Sequence, residues 1–142
     1  MEKININNNW EFAKNKNEYI NVSIPHTWNG IDGQDGGNDY YRSICFYRKK
    51  INVKDLPNSD LIYLEFEGVN SSSAIYINDI KVFHHDGGYS TFRLDITNYL
   101  KEENEILVEV DNMPNDRVYP QRADFTFYGG IYRNVNIIGV NK

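Results

Sequence analysis

The chain has 142 residues, a formal net charge of −5 at pH 7 and a sequence pI of about 5.1. Its fifteen Lys and Arg are scattered apart from Arg48-Lys49-Lys50, which argues against nucleic acid as a main partner, because phosphate backbones need a concentrated basic face. No apolar run approaches the roughly 20 residues of a membrane span, residues 1–10 lack the apolar core of a signal peptide, and the single cysteine, Cys45, excludes a disulfide framework or a thiolate zinc cluster.

A lone cysteine fits a reducing compartment, and we expect a cytoplasmic protein. The length suits one domain spanning 1–142, and such a chain buries roughly 70% of the surface its unfolded form exposes. Eleven Tyr stand out; tyrosine favours strands, and it also offers sugars or partners a flat face with a polar tip.

In chain order the dominant hydrophobic period is two. Residues 46–53 have strand composition with a charged centre. In 61–69, Leu61, Tyr63, Glu65 and Glu67 alternate with Ile62, Leu64 and Phe66. Residues 73–85 read as a hairpin turning at Asn78-Asp79, two residues that tolerate positive φ. A strand is expected over 89–97 and one helical turn over Asp95–Leu100. In 105–112, Ile106, Val108 and Val110 face one way and Leu107 and Glu109 the other; 132–140 closes the chain. No amphipathic helix of 10 or more residues is evident, so the pattern predicts an antiparallel β-sandwich or barrel.

Two segments break the pattern. Residues 25–41 are rich in Gly, Asp and Asn, and 112–130 hold two prolines followed by "DFTFYGG"; both read as long loops on a rigid scaffold, where function concentrates.

Few residues in this chain argue for chemistry of its own. No pair of acids is singled out by spacing, and Asp32 and Asp35 read as turn formers. Ser71–Ser73, His84 or His85 and Asp86 supply the types of a Ser–His–Asp triad but no nucleophile elbow. Adjacent His84 and His85 point to opposite faces of a strand and do not easily share one metal ion. Loop oxygens of 32–39 or 111–116 offer a calcium alternative without the EF-hand pattern. "PHTWN" at 25–29 reads as a fixed turn with Trp28 packed inward, and Trp10 reads either as a packed residue or as a surface ring able to stack on a sugar. The sequons Asn21-Val-Ser23 and Asn70-Ser-Ser72 matter only in a glycosylating secretory pathway.

An ordered series of motifs carries a resemblance. "W-x-F" at 10–12 is followed by "IPHTWN" at 24–29, "DGQDGGNDYYR" at 32–42, "LEFEGVNSSSAIYIND" at 64–79, "HHDGGYSTFRLDIT" at 84–97 and "DFTFYGGIYRNV" at 124–135. Together they resemble the N-terminal sugar-binding domain of glycoside hydrolase family 2, and the "FYGGIYR" form is most similar to the β-galactosidases of that family. The resemblance implies a jelly-roll sandwich like the galactose-binding domains. It also implies a larger parent, in which an immunoglobulin-like sandwich and a TIM barrel follow and the barrel carries the catalytic glutamates. The chain is then expected to be an excised, non-catalytic fragment of a retaining β-galactosidase, with no cofactor and no bound metal.

The resemblance also implies site residues. Asp124 corresponds to an aspartate that binds hydroxyls of the galactosyl ring; as a bare residue it is equally an acid paired with Arg122 or Arg133. Asn38 or Asp39 corresponds loosely to a second sugar contact. Phe125, Phe127, Tyr128 and Arg133 are expected to meet the barrel. Three other readings stay open: a stand-alone carbohydrate-binding module or lectin, the same domain from a β-glucuronidase or β-mannosidase, and a self-associating structural domain.

Overall fold

The computed structural model describes residues 1–14, 18–27, 44–86, 91–111 and 129–142. Among them run twelve strands. The first six are β1 (Glu2–Asn5), β2 (Trp10–Ala13), β3 (Ile20–Val22), β4 (Ile44–Asn52), β5 (Leu61–Phe66) and β6 (Val69–Asn70). The others are β7 (Ser72–Ile77), β8 (Ile80–His85), β9 (Phe92–Asp95), β10 (Glu103–Asp111), β11 (Gly130–Ile131) and β12 (Val135–Val140).

A four-stranded sheet of order β1-β12-β5-β9 faces a six-stranded sheet of order β3-β2-β4-β10-β7-β8, and a short β11-β6 ladder closes one end. Every pairing is antiparallel. The protein is thus the antiparallel all-β sandwich that the period of two predicts, in the jelly-roll form that the resemblance implies.

That period builds the core. Ile62, Leu64 and Phe66 of β5 and Ile106, Val108 and Val110 of β10 are all buried, and they meet Trp10, Tyr47 and Ile75 between the sheets. Each such large side chain contributes about 1.5–3 kcal/mol on leaving water. Trp10 is fully buried and its indole N–H donates to the Ile6 carbonyl at 2.6 Å, so the polar edge of the ring is satisfied.

The β7–β8 hairpin turns at Asn78 (φ 51°) and Asp79 (φ 70°), the left-handed conformation a two-residue turn requires. The Asn78 amide also donates to the Tyr99 carbonyl (3.1 Å) and to Asn104 Oδ1 (2.9 Å) and accepts from the Glu105 N–H (2.9 Å), which ties the turn to the start of β10. A bulge between Ile75 and Tyr76 shifts the hairpin register. The helical turn expected over Asp95–Leu100 is a 3-10 turn at Thr97–Tyr99, opened by the Asp95 carboxylate accepting from the Thr97 N–H (2.9 Å) and hydroxyl (2.6 Å).

Strands β1, β2 and β3 have no counterpart in the sequence reading. They are four, four and three residues long, too short for alternation to register. The same holds for the two-residue strands β6 and β11. Among the described residues no helix is long and apolar enough to cross a membrane.

Candidate functional site at one end of the sandwich

Four strand termini lie side by side at one end of the six-stranded sheet. The register sets Ile44 of β4 opposite Asp111 of β10, Asp111 opposite Ser72 of β7, and Ser73 opposite His85 of β8. The β11-β6 ladder, with Gly130 opposite Asn70, adjoins them. Ser71 links the two parts, since its hydroxyl donates to the Asp111 carbonyl at 3.0 Å. The residues flanking 28–43, 87–90 and 112–128 therefore belong to one region of the molecule.

His26, Tyr47 and Gly130 form the junction of that region. The His26 backbone N–H donates to the Ile131 carbonyl at 2.8 Å, which joins the "IPHT" segment to the chain just after "DFTFYGG". His26 Nδ1 lies 2.7 Å from the Tyr47 hydroxyl. Either tautomer satisfies both groups: the hydroxyl donates to Nδ1, or Nδ1–H donates to the hydroxyl while the latter donates to the His26 carbonyl at 3.3 Å. The rings of Phe12 and His26 (centroids 4.6 Å apart) and of Phe12 and Tyr47 (5.0 Å) pack beneath this contact. Burial lowers the His26 pKa below its ordinary value, which favours the neutral imidazole. Burial likewise lifts the Tyr47 hydroxyl well above the usual tyrosine range, against a smaller lowering from the Ile131 backbone N–H.

Gly130 has φ +140°, a conformation L side chains rarely adopt, and its α-carbon abuts the His26 carbonyl. Tyr132 then lies over Gly68, where an added Cβ would stand 2.7 Å from the phenol carbon Cζ. Arg133 is exposed, with its guanidinium 5.6 Å from the Tyr132 ring centroid.

The serine and histidine motifs also meet here, with roles that no triad would use. Asp86 Oδ1 accepts from the Ser72 hydroxyl at 2.6 Å and stands 3.1 Å from His84 Nε2, so the carboxylate sits between serine and histidine. His85 turns to the opposite face, as the alternation predicts, and stacks on Phe92 at 4.2 Å. Its Nδ1 and the Ser73 Oγ are buried and find no hydrogen-bond partner among the described residues. No group of three or more His, Cys, Asp or Glu suited to a metal ion occurs among the described residues.

Asn38, Asp39, Asp124, Phe125, Phe127 and Tyr128 lie outside the described residues, as do Trp28, Asp32 and Asp35. Of the residues implied by the resemblance, only Arg133 is described. The sequence reading took His26 as part of a fixed turn but missed its partners. Tyr47 sits in an ordinary strand run, and nothing in that run marks the one tyrosine whose hydroxyl reaches back across 21 residues to His26.

The sugar-binding domain of glycosyl hydrolases family 2 matches residues 1–140. The chain belongs to this family. It is 37% identical to a β-glucuronidase of Bacteroides fragilis, covering 96% of this chain and 20% of that protein. It is 33% identical to a β-galactosidase of Thermoanaerobacter pseudethanolicus, covering 92% and 18%. A solved FMN-binding β-glucuronidase from Facaelibacterium prausnitzii superposes with a TM-score of 0.85 at 36% identity, over 96% of this chain and 22% of that one. The chain spans about a fifth of the length of the curated relatives it matches. For a family 2 sugar-binding domain, the jelly roll and the meeting of residues 26–27 with 130–131 at one end are the features that bear on function.

Proposed function

We propose that this domain serves a larger β-glycoside hydrolase as a non-catalytic, substrate-contacting module. The observation that carries the reading is the family 2 sugar-binding match over residues 1–140 in a chain about a fifth as long as its relatives. Bond cleavage with retention needs two carboxyl groups about 5–5.5 Å apart on either side of the glycosidic bond, and we assign that pair to parts of the parent outside these 142 residues. The domain's own contribution is hydrogen bonding to sugar hydroxyls from the loop-bearing end, with Asp124 and one of Asn38 and Asp39 as the contacts. A carboxylate suits this task because it accepts two strong hydrogen bonds from neighbouring hydroxyls.

The "FYGGIYR" form supports a β-galactoside as substrate. The name of the 37%-identical relative supports a β-glucuronide instead. The full-length protein assayed on p-nitrophenyl β-galactoside and β-glucuronide distinguishes the two. Residues 1–142 alone are expected to cleave neither, and calorimetry with galactose is expected to show no saturable binding. Saturable binding by the isolated domain would establish the carbohydrate-binding-module reading, and cleavage by it would overturn the proposal.

A further inference from the structure

We propose that His26 is a positioning residue: paired with Tyr47, it fixes the place of the chain at Gly130 and Ile131 at the end of the sandwich that carries the family's sugar-contact motif. Three independent contacts converge on this one point. The His26 backbone N–H holds the Ile131 carbonyl at 2.8 Å. The His26 carbonyl closes over the α-carbon of Gly130, and Thr27 flanks it. The imidazole is itself pinned by the Tyr47 hydroxyl at 2.7 Å, and Tyr47 is fully buried in β4, which pairs directly with β10 in the middle of the six-stranded sheet. The position of the chain at Gly130 and Ile131 is thereby tied to the buried centre of the six-stranded sheet through one side-chain hydrogen bond. Among the described residues the rings packed on the imidazole are those of Phe12 and Tyr47, neither of them charged at neutral pH. Among these groups the pair works by the direction of one hydrogen bond and by ring packing.

A purely structural pair would tolerate replacement of both members together by apolar side chains of the same shape. A positioning pair would not, because the hydrogen bond supplies the direction. Tyr47→Phe removes only the hydroxyl and keeps the ring that fills the core. His26→Leu removes the polar partner, whereas His26→Asn keeps an amide group where Nδ1 stood and either tautomeric role remains available.

The first measurement is amide hydrogen exchange in the full-length protein, at residue 26, whose N–H bonds Ile131, and at Tyr132, whose N–H bonds the Gly68 carbonyl at 3.2 Å. Tyr47→Phe and His26→Leu are expected to speed exchange at both positions by about tenfold, with the β10 amides unchanged and His26→Asn close to wild type. The second is kcat/KM on the glycoside the parent cleaves, measured well below the melting transition; this arm rests on the proposed function. Tyr47→Phe and His26→Leu are expected to lose about ten- to a hundredfold, with His26→Asn restoring most of it. Unchanged exchange in Tyr47→Phe overturns the proposal whatever the catalysis does. So does a His26→Asn variant as impaired as His26→Leu. Faster exchange with unchanged kcat/KM overturns the positioning role while leaving the family reading intact. A parent that cleaves neither glycoside removes the proposed function, and the exchange data still decide whether the latch exists.

Discussion

The carbonyl of His26 and the α-carbon of Gly130 are packed so closely that the space between them holds a hydrogen and nothing larger. A Cβ at residue 130 would collide with that carbonyl and stand 2.8 Å from the Tyr47 hydroxyl and 3.0 Å from Thr27 Cα. The φ of +140° adds backbone strain for any L side chain. Gly130→Ala is therefore expected to cost at least about 2 kcal/mol, read as a lower urea midpoint for the isolated domain. An unchanged midpoint would show that the junction gives way freely, and the close packing would then have no energetic weight.

On the outer face of the four-stranded sheet Glu65 is only 2% exposed, yet it is ionised and held on three sides. Arg93 Nε lies at 2.7 Å, Asn136 Nδ2 at 2.8 Å and Lys3 Nζ at 3.3 Å. Burial alone would raise its pKa, but the hydrogen bonds from Arg93, Asn136 and Lys3 together outweigh that and leave it below the ordinary glutamate value of 4.5. An acid with a lowered folded pKa stabilises the native state fully above its unfolded value. That stability is lost as pH falls from about 4.5 through the folded value. Glu65→Gln is expected to cost about 2 kcal/mol at pH 7 and to flatten part of the acid limb of a stability-versus-pH curve. Glu11 and Asp95 are also lowered, Glu11 chiefly by the Arg48 hydrogen bond and Asp95 by Thr97, so some acid dependence remains in the variant. A variant with the full wild-type acid limb would show that Glu65 carries none of it.

Glu65 also shows what sequence can and cannot say. Alternation places it on the outward side of β5, and there it is. Its burial comes from Lys3, Arg93 and Asn136, which the register brings alongside from residues 62, 28 and 71 positions away, and no local pattern encodes that. The long strands were legible from their period: β10 alternates over all nine residues and β5 over its first four, and Asn78-Asp79 carries its own turn chemistry. At the candidate site the motif series located the family, but the His26–Tyr47 bond and the Ser72–Asp86 bond are products of topology. "SSS" and "HHD" suggest a triad on paper, and only the cross-strand register shows that Asp86 stands between its would-be partners.

The adjacent serines Ser72 and Ser73 provide a paired test of the register. Ser72 donates to an ionisable carboxylate at 2.6 Å, whereas the Ser73 hydroxyl is buried and has no partner among the described residues. Removing a bonded group should cost about 1–2 kcal/mol, and removing a buried orphan should cost little or even stabilise. Ser72→Ala is expected to lower the melting temperature and Ser73→Ala to leave it unchanged or raise it. The opposite order in thermal melts of the two variants would mean that the β7 face assignment at this end is reversed.

The substrate contact assigned to Asp124 separates cleanly from stability. The proposed role at Asp124 predicts that its removal weakens substrate contact and leaves the core of the two sheets untouched. Asp124→Ala in the full-length protein is expected to lower kcat/KM about a hundredfold, the scale of losing a charge-assisted hydrogen bond or two. The melting temperature of residues 1–142 should barely move with the same substitution. Asn38→Ala and Asp39→Ala are expected to have smaller effects of the same kind, with one of the two clearly larger. A full-length Asp124→Ala protein with normal kinetics and a destabilised domain would make Asp124 a structural acid, paired with an arginine such as Arg122 or Arg133.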